Sequence, residues 1–174
     1  MPFVSNMQKA PLDADRWINR IYYGGDLDRE AERLLHLTAY HYQDSDKAEN
    51  FLRQAKARAG NHLAVAIGAY KFYFYKGRKK EALAAAQQCL DLVAEKLHLP
   101  DWQSVSPKDA EFASFDHGLE RLYLFILKAM AYLYLRLGEA EKGKAMLAKL
   151  RELDPHDKIE SRFLLRVLEQ EDDD

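Results

Sequence analysis

The chain has 174 residues and a mass of 20.2 kDa, which suits one domain with a proper core rather than two. Its 26 basic and 28 acidic side chains nearly balance, so no global field draws it to nucleic acid or to an anionic lipid surface. With 48% hydrophobic and 31% charged residues but only five prolines and eight glycines, the composition favours a globular, mostly helical protein over an all-β one.

The lone Cys89 excludes an intramolecular disulfide and any multi-cysteine metal site, which fits a reducing compartment. The opening MPFVSNMQKAPLDAD lacks the apolar centre of a signal peptide. The most apolar window, 122–137, is interrupted by Lys128 and falls short of the roughly 20 residues that a spanning helix needs. A cytoplasmic protein with no membrane association is expected. Four of the acids are consecutive at 171–174, an acidic tail that leaves the rest of the chain mildly basic.

Residues 1–12 read as a loose arm, followed by a short helix with Trp17, Ile18, Ile21 and Tyr22, capped by Asp13 or Asp15 and stopped by Gly24 and Gly25. Asp26 is a candidate cap for the next helix, where Leu27, Ala31, Leu34, Leu35, Thr38, Ala39 and Tyr42 recur at spacings of three and four. A turn at 43–46 leads to a helix over about 47–58 that ends at Gly60. Asn61 is placed to cap a fourth.

That fourth helix contains YKFYFY, whose alternation alone would allow a strand. The absence of a turn signal before Gly77 and the strongly helical 79–97 beyond it favour two antiparallel helices with Gly77 between them. LPDWQSVSPKD then signals a loop, and Ser106, Pro107 and Asp109 mark a helix start. A long apolar segment, with a break near Gly118, runs to Leu137, and Gly138 stops it. A helix follows over about 139–153, and after Asp154 and Pro155 a last one is capped by Asp157 and bears Ile159, Phe163, Leu164, Val167 and Leu168. About eight helices and no strand are expected.

The chain repeats. Ala48 and Ala82 lie 34 residues apart, each early in the second helix of a pair, and Leu52 pairs with Ala86 and Ala55 with Cys89 under the same shift. The second copy carries Tyr73, Gly77 and Ala82. The third carries Leu127, Met130, Ala131, Tyr134, Gly138, Gly143, Leu147, Leu150 and Pro155, and the first has Ala39 and Gln43 where the others have the tyrosine and the glycine. This pattern resembles the tetratricopeptide (TPR) repeat, a helix–turn–helix unit of 34 residues. The resemblance implies an all-α TPR-like α-solenoid: a single domain over 13–170 with three repeats at about 29–60, 61–97 and 119–156. An insertion at 98–118, an N-terminal capping helix and a C-terminal one at 157–170 complete it. Tyr70 stands where the family has a small residue, facing the small Ala82, Ala84, Ala85 and Ala86, so Tyr70 and Tyr73 are expected to pack in the core.

In such a stack the first helix of each repeat lines a concave groove. The resemblance assigns to it Arg33, Leu37, Tyr40 and His41; Ile67, Lys71, Phe74 and Tyr75; and Phe125, Lys128, Tyr132, Leu135 and Arg136. Aromatic rings with interspersed basic groups suit a protein or peptide segment with apolar anchors and acidic groups. The alternative is that the insertion or the arm covers some of these rings. Chaperone-binding members of the family hold a terminal carboxylate through a basic clamp; here its positions read Arg33, Leu37, Gly68, Phe125 and Ala129, so that use is disfavoured.

Other chemistry is poorly represented. His36 and His41 lie about 140° apart around a helix and on different faces, so no metal site is expected, and no phosphate loop, HExxH or GxSxG occurs. Cys89 reads as a buried thiol rather than a nucleophile, and the basic run at 76–80 as solvated charge at a repeat turn, which disfavours nucleic acid. No cofactor is expected. A non-catalytic adaptor or assembly factor is therefore the leading expectation, beside a secretion-type chaperone and a helical enzyme or ligand-binding domain whose pocket the insertion closes. Trp102, Phe112 and Phe115 offer a patch for homodimerisation or a cover for the groove, and the acidic tail is a candidate competitor for the basic furrow.

Overall fold

A computed structural model describes residues 25–114, 117–164 and 166. The expected arm, first helix and acidic tail lie outside the described residues, as do Phe115, Val167 and Leu168 of the expected patch and last helix. Among the described residues there are no strands, and six helices lie wholly within them, α1 (Arg29–Tyr40), α2 (Ser45–Ala59), α3 (Leu63–Tyr75), α4 (Lys79–Leu97), α5 (Gly118–Arg136) and α6 (Ala140–Leu153), with a further helical segment starting at 162. None is long and apolar enough to cross a membrane. They fall into two compact units, one ending at Leu92 and one beginning at Val93.

In the first unit α1 starts at Asp28, whose carboxylate accepts the Ala31 amide at 3.1 Å, while Glu30 and Glu32 complement the positive end of the helix. Asp28, not Asp26, is thus the cap. Asp44 caps α2 through the Lys47 amide at 3.2 Å, two residues earlier than the spacing predicts. Helix α3 is capped by His62 rather than Asn61, the imidazole Nδ1 accepting the Ala64 amide at 3.1 Å.

These helices close around Leu34, Leu35, Ala48, Leu52, Ala55, Val65, Ala69, Phe72 and Ala85. Helix α3 packs against both α1 and α2, and the contact with α1 is tight at Gly68, where a Cβ would stand 3.2 Å from a Leu35 methyl. Tyr70 and Tyr73, expected in the core, lie half-buried against it, and the ring of the YKFYFY stretch that enters it is Phe72, 5% exposed.

Two turns share one geometry. After α3 the Arg78 amide donates to the Tyr73 carbonyl at 2.9 Å and the Gly77 amide to Phe74 at 3.1 Å. After α5 the Glu139 amide donates to Tyr134 at 2.8 Å and the Gly138 amide to Leu135 at 3.1 Å. This left-handed helix stop needs a residue at positive φ, and Gly77 and Gly138 supply it at +71° and +81°. The α1–α2 turn has no such glycine and instead runs through His41 to Asp44, the Asp44 amide donating to the His41 carbonyl at 2.9 Å.

The second unit is built on the α5–α6 hairpin. Helix α5 buries Leu122, Tyr123, Leu124, Ile126, Leu127, Met130, Ala131 and Leu133, and α6 buries Gly143, Met146, Leu147, Leu150 and Leu153. The helix start expected at Ser106 is not formed. Its hydroxyl accepts the Lys108 amide and its own amide donates to Asp109, which closes a local turn, and α5 begins only at Gly118. After α6, Asp154 is 4% exposed and its carboxylate accepts the Lys158 and Ile159 amides, both at 3.1 Å. Asp157 sits at φ +53° and accepts the Ser161 and Arg162 amides, but the helical turn begins only at 162, so Asp157 stands four residues ahead of the N-cap position rather than at it, with Ile159 buried between.

Candidate functional site

On α1, Arg33, Leu37 and Tyr40 form one stripe at spacings of four and three. Tyr40 is 83% exposed. Its ring is supported from behind: it meets His41 edge-on at 4.9 Å, and His41 stacks on Phe51 of α2 at 5.5 Å. His41 therefore serves as a brace inside the hairpin rather than as an open groove residue. Arg33 is exposed and its Nε donates to Glu30 at 2.9 Å, which holds the guanidinium above its ordinary pKa.

Helix α3 packs against α1 through Gly68 and Leu35, on the side of α1 that carries its buried residues. Phe74 lies 5.5 Å from the Tyr70 ring and 5.7 Å from Tyr75, and Lys71, Phe74 and Tyr75 are all half-buried. Ile67, assigned to the groove from its register, is 4% exposed and belongs to the interior. The cause is that α3 is apolar on every side over 63–67, so its first turns have no solvent face.

The basic run after α3 is used within the unit. Lys76 donates to the Tyr42 carbonyl at 2.6 Å and its ammonium stands 3.9 Å from the Tyr42 ring centre. Arg78 lies 4.8 Å from the Tyr73 ring centre and bonds Glu49 at 2.6 Å and Glu81 at 2.9 Å, while the Tyr73 hydroxyl donates to Glu49 at 3.1 Å. The hydrogen bonds that Arg78 donates to Glu49 and Glu81 raise its pKa, and Arg78 chiefly lowers that of Glu49. Burial, reinforced by Glu49, raises that of Tyr73. Lys76 and Arg78 are thus pinned side chains, not the solvated charge expected of a repeat turn. The partner of Lys76, Tyr42, stands one 34-residue period before it.

In the second unit Phe125, Lys128, Tyr132, Leu135 and Arg136 share the side of α5 that turns away from its buried stripe of Tyr123, Leu127 and Met130. Phe125 is 42% exposed and Arg136 is exposed. Lys128 is engaged elsewhere. It donates to the Ile159 carbonyl at 2.7 Å, and burial lowers its pKa against the pull of Glu160 and Asp157. Leu135 also departs from the groove assignment, because its side chain packs against Gly143 of α6.

The insertion packs within the second unit. Val105 is fully buried and its carbonyl accepts from Lys149 at 2.7 Å; Phe112 is 4% exposed, 5.7 Å from the Tyr123 ring. Phe112 is therefore unavailable to a dimer patch, and it sits on the buried side of α5 rather than over Phe125. Phe163, 48% exposed, is an apolar surface residue that the sequence pattern assigned only to a capping helix. Cys89 is buried, which pushes its thiol up to about 12 and keeps it protonated at neutral pH.

No family model and no solved structure matches the chain. A protein of Azotobacter chroococcum mcd 1, described as an uncharacterized 19.8 kDa protein in the nifW 5′ region, is 42% identical over 123 residues, which cover 70% of this chain and 69% of that one. This chain belongs to the family of that Azotobacter protein.

Proposed function

We propose that this protein is a non-catalytic, cytoplasmic adaptor or assembly factor of TPR-like architecture. It holds a partner protein's segments against the exposed sides of α1 and α3 in the first unit and of α5 in the second. The observation that carries it is Tyr40: a large ring 83% exposed yet braced by His41 and Phe51, on the stripe that also bears Arg33. A braced exposed ring loses little side-chain freedom when a partner covers it, which favours it as a binding anchor. The TPR-like part is supported by the two matching glycine turns and by small residues, Ala48, Ala82 and Gly143, at equivalent buried positions.

Each partner segment has apolar or aromatic anchors flanked by acidic groups, which Arg33 would orient on the first unit and Arg136, separately, on the second. The test is fluorescence anisotropy of the purified chain against acidic peptides with and without Phe, Trp or Leu anchors, run beside a metabolite library in thermal shift. Anchor-dependent peptide binding supports the adaptor; stabilisation by a small molecule with no peptide response overturns it.

A further inference from the structure

Within the second unit, residues 157–164 form a strap against α5. It is rooted at Asp154, whose carboxylate accepts the Lys158 and Ile159 amides. Ile159 and Leu164 are buried, and the Ile159 carbonyl accepts the Lys128 ammonium at 2.7 Å. Lys128 lies between Phe125 and Tyr132 along the side of α5 that faces away from its buried stripe, so the strap occupies the ammonium that this side would otherwise offer. An ammonium carries three donors, and among the described residues the Ile159 carbonyl is the acceptor that Lys128 finds. Burial holds the Lys128 pKa below the usual lysine value although Glu160 and Asp157 pull it up, so the half-buried charge is incompletely matched. A carboxylate in the place of that neutral oxygen would form the stronger, charge-assisted bond.

The strap is also seated against its own backbone preference. Asp157 and Glu160 have positive φ, +53° and +58°. Aspartate tolerates this left-handed region, and the Asp157 carboxylate accepts the Ser161 and Arg162 amides and the Ser161 hydroxyl. Glu160 belongs to a residue type that rarely adopts the conformation. At the ends of α3 and α5 the same conformation falls on Gly77 and Gly138. At position 160 it falls on a residue with a Cβ, so the seated strap stores strain that its release would relieve.

We propose that residues 157–164 are a displaceable strap whose Ile159 carbonyl stands on Lys128 in place of a carboxylate from the partner segment that docks on α5. This occupant rests on the reading of α5 as a docking side, and it specifies the partner's chemistry there. Lys128 and Arg136 are eight residues apart on one helix, about 12 Å. That is roughly the span between acidic residues i and i+4 of an extended segment, whose apolar residue i+2 would face Tyr132.

The strap is first tested without a partner, by the rate at which an acetylating reagent labels Lys128 in the intact chain, with amide exchange of residues 159–164 alongside. Ile159→Ala should speed labelling by about fivefold or more. Glu160→Gly should slow it about threefold relative to Glu160→Gln, which removes the same charge and leaves the strain; the effect falls short of the full strain because glycine is also freer in the open strap. A fluorescent peptide with glutamates at i and i+4 and a leucine between them should then bind the Ile159→Ala chain about fivefold or more tightly than the wild type, and the Glu160→Gly chain about threefold more weakly than the Glu160→Gln chain. Its glutamine counterpart should bind none of them. The Glu160 pair removes no buried atom, so it decides the outcome even where Ile159→Ala loosens the unit. Equal labelling of the two Glu160 variants would overturn the strap. Equal peptide binding by all the chains while labelling differs would overturn displacement and leave docking on α5 intact. Absence of peptide binding even by Ile159→Ala, with Lys128 labelled faster there, would overturn docking on α5 and this occupant with it.

Discussion

The Leu135 side chain occupies the space that a methyl group on Gly143 would need, and the Ala131 carbonyl stands 3.2 Å from the same point. Helices α5 and α6 therefore approach so closely that Gly143→Ala must move both a side chain and a backbone. A helical glycine forgoes up to about 1 kcal/mol of helix propensity relative to alanine, whereas overpacking of this kind costs about 1–3 kcal/mol. Gly143→Ala is expected to lose about 1 kcal/mol in urea titration. Gly68→Ala, which meets one Leu35 methyl at 3.2 Å, should be neutral or stabilising because that methyl can yield. Equal behaviour of the two would refute the difference in packing.

Gly77 and Gly138 sit at φ +71° and +81°, with nothing near enough to touch an added Cβ. Substitution there tests backbone strain alone. Alanine at either position should cost about 1–2 kcal/mol, the ordinary penalty of the left-handed region, and asparagine less. Matching losses at both sites, read from chemical denaturation midpoints, would show the two turns to be energetically equivalent as well as alike in geometry.

The Glu49 carboxyl is held below its ordinary value of 4.5, first by the Arg78 hydrogen bond. A depressed carboxyl contributes stability that is present above 4.5 and lost as the pH falls from there through the folded-state value. Arg78→Ala should therefore lower stability at pH 7 by about 1 kcal/mol, the upper range for a half-exposed pair, and flatten the loss of stability below 4.5. Urea midpoints at both ends of that window decide it, because an equal deficit at each end would mean that Arg78 acts through packing on Tyr73 and not through charge.

What the sequence discloses follows from the range of the forces involved. The glycine stops and the small positions Ala48, Ala82 and Gly143 are set by local periodicity and sterics and appear where the spacing predicts them, whereas helix starts are less exact, α2 beginning two residues early. Caps are harder to assign, because Asp26 and Asp28 are equally good acceptors two residues apart and because the cap of α3 is the uncommon His62 beside the preferred Asn61. The candidate surface is legible as a side of α5 but not residue by residue. Lys128, Leu135 and His41 share the register of groove residues, yet their atoms are taken by Ile159, Gly143 and Phe51, partners that lie 31, 8 and 10 residues along the chain. The failed helix start at Ser106 shows the same limit: its hydroxyl and Asp109 bond the nearby backbone in a turn as readily as in a helix.

If the α1 stripe docks a partner, Tyr40 is where binding and folding separate. An 83% exposed ring adds little to the core, so Tyr40→Ala should leave the thermal midpoint within about 1 °C while weakening an anchor-bearing acidic peptide at least tenfold, as loss of an interface hot spot does. Tyr75→Ala should weaken the same peptide with helicity intact, and Arg136→Glu should weaken a peptide held on the exposed side of α5. Lys128→Ala provides the contrast, since losing the bond to the Ile159 carbonyl should lower amide protection around Ile159 and Leu164 with far less effect on the peptide at the α1 face. Were Tyr40→Ala to bind as tightly as the wild type, the braced ring would not be an anchor and docking at the α1 face would be excluded.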